Sequence, residues 1–96
     1  MSLEFEWDDD KAASNEKKHK VSFEEAATVF ADPLAVIFDD EAHSEEEPRE
    51  IIVGHSIKDR LLLVCFVERF EAVRIISARR ATKKERRDYE ESSQER

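Results

Sequence analysis

Leu61-Leu62-Leu63-Val64-Cys65-Phe66-Val67 is the run that decides the fold: seven apolar residues in a chain that is 42% charged. A half-buried strand alternates apolar and polar side chains; this run does not, which is the pattern of a strand covered on both faces. It predicts a central strand over Arg60–Val67. To either side lie Glu50–His55 and Ala72–Arg80, set off by the short polar turns Ser56–Asp59 and Glu68–Glu71. Turns of that length connect antiparallel neighbours. Leu34–Asp39 predicts a further strand before the charged loop Asp40–Pro48.

Toward the N-terminus, Leu3-Glu4-Phe5-Glu6-Trp7 alternates with period two and reads as a short strand. Asp8 then caps a helix over Asp9–His19, with acids in its first turn and Lys17, Lys18 and His19 in its last, as the helix dipole favours. Ser22-Phe23-Glu24-Glu25 is a capping box in which the serine accepts a free helix N–H and Glu25 reaches back. Phe23, Ala26, Ala27 and Phe30 follow at helical spacing, and Asp32-Pro33 stops that helix. Thr82-Lys83-Lys84-Glu85 is a second capping box, opening a helix to about Glu91. The expected fold class is α+β: an N-terminal strand and two helices, then a four-strand antiparallel meander and a C-terminal helix. One domain is expected over 1–91, with 92–96 a disordered tail.

The 96 residues carry a net charge of −8, unevenly spread. Residues 1–50 hold 5 basic and 16 acidic side chains, net −11, whereas residues 51–96 hold 11 basic and 8 acidic, net +3. Two electrostatic surfaces on one small body are expected. Gly54 is the only glycine, which excludes glycine loops that cradle phosphates. No apolar run is long enough to span a bilayer. Met1–Asp10 shows no basic start followed by an apolar stretch, so no signal peptide is read there. Cys65 has no second cysteine to pair with and reads as a buried small hydrophobe, consistent with a reducing cytoplasm.

Read in order, several pieces form a pattern. They are Phe5-Glu6-Trp7-Asp8, Asn15 with Lys18-His19, Val21-Ser22-Phe23-Glu24-Glu25-Ala26, and Val29-Phe30 with Asp32-Pro33. Then come His43-Ser44 with Glu47 and Arg49, Arg74-Ile75-Ile76-Ser77-Ala78-Arg79, Ala81, Glu85-Arg86 and Tyr89-Glu90. In this order and spacing the chain, from about Phe5 to Glu90, resembles the BrnT family, the toxin half of a type II toxin–antitoxin system. Lys20 departs from the family pattern, which has glycine after the Lys-His pair, where a left-handed residue ends the helix. The resemblance implies a RelE-like ribonuclease fold and a partner antitoxin resembling BrnA. That antitoxin's ribbon-helix-helix segment would bind DNA, so the chain would meet DNA only indirectly.

Metal-free RNA cleavage needs a base for the 2′-hydroxyl, a cation for the charge building on phosphorus, and an acid for the leaving oxygen. Arginine suits the second role. Strict strand alternation places Arg74 and Arg80 on one face and Arg79 on the other, and Arg79, at the strand end, is favoured over Arg74. Glu85 and Tyr89, one helical turn apart, are a general-base candidate and a phosphate or stacking contact. His19 is the remaining acid–base candidate, since imidazole titrates near neutrality. Lys11, Lys18, Arg74, Arg80 and Lys83 are the expected RNA contacts. Each has a bland alternative: a salt bridge for Arg79, a cap for Glu85, packing for Tyr89, a helix-end cation for His19. His43 and His55 with nearby carboxylates show no ligand spacing, so neither a metal nor a cofactor is expected. The competing function is a catalytically inactive interaction module whose acidic half holds a basic DNA-binding partner.

Overall fold

The computed structural model describes residues 3–40 and 48–94. The elements run β1 (Glu4–Glu6), α1 (Asp9–His19), α2 (Phe23–Thr28), a 3₁₀ turn (Val29–Ala31), β2 (Val36–Asp39), β3 (Glu50–His55), β4 (Leu61–Arg69), β5 (Ala72–Arg80) and α3 (Lys83–Gln94). Most of the expected charged loop, His43 included, falls outside the described residues.

The α+β class holds, but the expected four-strand antiparallel meander does not describe the sheet. It has five strands in the order β1-β5-β4-β3-β2 and is mixed, because β1 pairs with β5 in parallel. A parallel neighbour needs a long crossover, which is supplied by the entire chain between β1 and β5. Phe5 lies opposite Val73, and its ring meets Phe30, whose own ring meets Phe66. The strand is thus drawn in by an aromatic chain that reaches the sheet centre.

β4 is central, and Leu61–Val67 are all buried. Leu62, Val64 and Phe66 face a core closed by Val21, Phe23, Ala26 and Val29, on the side of α1 and α2. Leu61 and Leu63 face the other way, into a smaller core with Val53 and Tyr89 of α3. The sheet therefore separates an α1–α2 layer from an α3 layer.

Polar side chains complete two strand edges. β1 ends opposite Arg74, and farther along β5 the Asn15 amide takes its place: Nδ2 donates to the Ala78 carbonyl at 2.8 Å and Oδ1 accepts the Ala78 N–H at 3.1 Å. At the opposite edge β2 starts only at Val36, opposite Val53, and beyond it Asp32 Oδ2 accepts the His55 N–H at 2.8 Å. Asp32 also turns the chain, accepting the Leu34 N–H through Oδ1, which is why β2 starts two residues later than the expected Leu34.

The expected caps form at Asp8, Ser22 and Thr82. Lys20 takes the left-handed conformation, φ 60°, that ends α1. One detail differs. Glu25 does not reach back to Ser22; its carboxylate accepts from Ser56 and Arg60 instead. The α3 helix continues to Gln94, past the expected end near Glu91.

Candidate functional site

β5 is where strict alternation fails. Phe66 pairs with Ile75 but Cys65 pairs with Ser77, leaving Ile76 as an extra residue. Such a bulge resets which face later residues occupy. Val73 and Ile75 point into the α1–α2 core before it, and Ala78 does so after it. Arg74, opposite Val67, and Arg79, opposite Leu63, consequently share the α3 face, with exposed Ser77 between them. Arg80 turns to the other face. This reverses the expectation that Arg74 and Arg79 oppose each other and that Arg74 and Arg80 go together.

Arg79 is held at the strand end by Glu85. Its Nη1 and Nη2 each donate to a Glu85 oxygen at 2.8 Å, a two-pronged ion pair. Glu85 Oε1 also accepts the Thr82 N–H at 2.9 Å, completing the capping box. The guanidinium beside it, aided by Thr82, holds the Glu85 carboxyl down at about 2. A carboxylate so stabilised is a poor base. Its physical effect is to fix Arg79 and start α3. Arg74 lies 3.8 Å from Glu6 and is more loosely engaged.

One turn along α3, Tyr89 is buried over Val53, Leu61 and Leu63. Its hydroxyl donates to Asp32 Oδ2 at 2.9 Å and lies 3.2 Å from His55 Nδ1, with the two rings edge to face. The backbone and hydroxyl donors around Asp32 outweigh its burial and lower its carboxyl from the ordinary value. The arrangement depends on Gly54: a Cβ there would stand 3.0 Å from Asp32 Oδ2 and 2.9 Å from Ala35 Cβ.

A family model described as the ribonuclease toxin BrnT of type II toxin–antitoxin systems matches residues 7–85, most of this fold and the whole of β5 with its arginines. The chain belongs to the BrnT toxin family. The crystal structure of the Brucella abortus ribonuclease toxin BrnT is similar in fold, with a TM-score of 0.65 over 85% of this chain and 100% of that one, at 21% sequence identity. No curated protein matches the sequence.

On the BrnT fold the expected site residues divide between two layers. Arg74, Arg79, Glu85 and Tyr89 gather on the α3 side, and Lys83 is exposed in the first turn of α3. His19, Lys11 and Lys18 belong to α1, in the other layer, and Arg80 points that way too. The structure does not bring His19 together with Arg79 and Glu85, because the sheet lies between α1 and α3. Among the described residues no group of three or more His, Cys, Asp or Glu could hold a metal, and no helix is long and apolar enough to cross a membrane. Burial and the nearby Asp40 push the Cys65 thiol up to about 11, which keeps it protonated and unreactive.

Two members of the Asp32–Tyr89–His55 cluster escaped the sequence reading. Asp32 reads there only as part of a helix stop and of the family pattern, with no role at the site, and His55 only as a weak metal candidate. The available signal was Gly54, since an isolated glycine inside a strand marks close approach by another part of the chain.

Proposed function

We propose that the chain is an endoribonuclease toxin that cleaves RNA without a metal or other cofactor, in the cytoplasm, on a RelE-like version of the BrnT fold. It is neutralised by a ribbon-helix-helix antitoxin resembling BrnA, through which alone it meets DNA. The observation that carries the reading is the bulge at Ile76. It sets Arg74 and Arg79 on one face, five residues apart and separated by roughly 15 Å of strand, a spacing suited to a nucleic-acid backbone. Arg79, oriented by Glu85, meets the charge building on the reacting phosphate. Arg74 and Lys83 hold neighbouring phosphates. Tyr89 supports the reacting end from below. Lys11, Lys18, His19 and Arg80 lie across the sheet and serve RNA away from the reacting phosphate.

Expression of the chain alone tests this reading. Growth arrest with decay of cellular RNA, both abolished by Arg79→Ala and weakened by Arg74→Ala, is the expected result. Arrest unchanged in both variants would remove the β5 arginines from the mechanism.

The pairing of Arg79 with Glu85 favours a second reading. A guanidinium already neutralised by a carboxylate can be structural, and the −11 half of the chain suits a basic DNA-binding partner. An interaction module of this kind binds its antitoxin, co-represses the operon, and leaves RNA intact.

A further inference from the structure

The Asp32–Tyr89–His55 cluster has an order of protons that follows from its geometry. The Tyr89 hydroxyl carries one proton and stands against Asp32 Oδ2 at 2.9 Å and His55 Nδ1 at 3.2 Å. Asp32 is ionised at neutral pH, since its carboxyl is lowered from the ordinary value. Had the phenol proton pointed at His55, the Asp32 carboxylate would face a bare phenol oxygen at hydrogen-bond distance, two sets of lone pairs with no hydrogen between them. The proton therefore goes to Asp32. The phenol oxygen then accepts, and Nδ1 of His55 is the nitrogen that carries the hydrogen. In neutral imidazole that leaves the lone pair on Nε2.

The remaining geometry presents that lone pair. Asp32 also fixes the backbone of His55 by accepting its N–H at 2.8 Å, and Tyr89 braces the ring edge to face. The His55 side chain is 36% exposed, whereas Asp32 at 9% is shielded. Nε2 makes no hydrogen bond to any described residue. Among the described residues, the ionisable groups set against the ring are Asp32, from the segment after the 3₁₀ turn, and Tyr89, from α3. An imidazole held through Nδ1 by a buried acceptor, with Nε2 unbonded among the described residues and the side chain partly exposed, is the arrangement a general base requires. His55 projects to the α3 face, as does Arg79, two strands away and two residues farther along. Strand spacing and rise place their Cα atoms about 12 Å apart, with the buried Leu61 and Leu63 of β4 between them beneath Tyr89.

We propose that His55 is the general base of the cleavage reaction, with Tyr89 and Asp32 as positioning residues; this rests on the ribonuclease reading above. The 2′-hydroxyl proton passes to Nε2, the O2′–P bond forms and the P–O5′ bond breaks. The departing 5′ oxygen takes a proton from water, and the hydroxide so formed takes the proton from Nε2, which returns the neutral imidazole. The products are a 2′,3′-cyclic phosphate and a 5′-hydroxyl end.

The test is cleavage of a labelled single-stranded RNA by the purified full chain, with product ends identified. His55→Asn keeps a donor for the Tyr89 oxygen but has no basic nitrogen. It is expected to retain the wild-type melting temperature within a few degrees and to lose cleavage by about 100-fold or more. His55→Ala should regain activity when imidazole is added, which a purely structural histidine would not permit. Tyr89→Phe is expected to displace the acidic limb of the pH–rate profile, and His55→Asn to abolish it. If the wild type cuts RNA and a folded His55→Asn cuts equally well, or if the wild-type product carries a 3′-hydroxyl, His55 is not the base and the ribonuclease reading stands. If the wild type cuts no RNA, both fall together.

Discussion

Arg60 closes on the buried carboxylate of Glu25 with both Nε, at 2.9 Å, and Nη2, and the same Nη2 donates to the Lys20 carbonyl at 3.0 Å. Ser56 donates a third bond to that carboxylate, at 2.6 Å. The side chain of Glu25 is 2% exposed, so its charge survives only because these donors replace water. The cluster ties the start of α2 and the left-handed end of α1 to the β3–β4 turn. Removing the cation strands the anion. Arg60→Met is expected to cost about 3 kcal/mol, lowering the melting temperature by roughly 12 °C or more. Thermal denaturation followed by circular dichroism measures it. A shift under about 3 °C would mean that the pair contributes little.

How far these relationships could be read from sequence depends on their range along the chain. The caps at Asp8, Ser22 and Thr82 are local, and each forms where its motif stands. Glu25 shows the limit of a local motif, because the glutamate of a capping box has two possible partners and here Arg60, 35 residues away, prevails. The pairing of β1 with β5 joins residues 68 apart and leaves no periodic trace. The bulge at Ile76 is equally silent, since Arg74-Ile75-Ile76-Ser77-Ala78-Arg79 fits either regular alternation or an extra residue. Only pairing with β4 decides, and it places Arg74 and Arg79 on one face. His55 and Asp32 are 23 residues apart and meet at a strand edge whose exposure depends on where β2 begins.

Glu50 is placed at a cost. It pairs with Asp39 on β2 and with Phe66 on β4, and burial, then Glu68 and Asp39, push its carboxyl above the ordinary value. A carboxyl raised on folding weakens the fold as pH climbs through the raised value, because the native state resists giving up the proton. At neutral pH Glu50→Gln is therefore expected to stabilise the protein by about 0.5 kcal/mol, an advantage that disappears in acid. Urea denaturation at pH 7 and pH 4 checks the sign. A destabilised variant at pH 7 would contradict it.

The Arg79–Glu85 pair has the opposite pH signature. The Glu85 carboxyl is depressed to about 2 in the folded chain, from an unfolded value of about 4.3. Its contribution to stability is thus complete above the unfolded value and is lost as pH falls from there toward 2. Arg79 is 38% exposed, so solvent screens part of the attraction. Glu85→Gln is expected to flatten the acid limb of the stability curve in this window and to leave Arg79 mobile, which reduces RNA cleavage without abolishing it. Complete loss of cleavage in a folded Glu85→Gln would instead give Glu85 a direct part in the chemistry.

Gly54 joins the two layers because it has no side chain. It faces the α1–α2 layer from β3, with Ala35, Asp32 and Val29 drawn against it; a Cβ would stand 2.9, 3.0 and 3.1 Å from their nearest atoms. The glycine has no left-handed backbone to accommodate, so space alone is at issue. Ala35 and Val29 pack with the main core and have little room to retreat, leaving Asp32 as the group that gives way. Its carboxylate would then leave both the His55 N–H and the Tyr89 hydroxyl. Gly54→Ala is expected to cost about 1–3 kcal/mol through overpacking. It should also reduce cleavage by more than its unfolded fraction explains, since the ring of His55 loses its brace. Melting curves and cleavage rates on the same samples separate the two effects. A variant that is less stable yet cleaves at the wild-type rate per folded molecule would show that the position of Asp32 does not matter to the reaction.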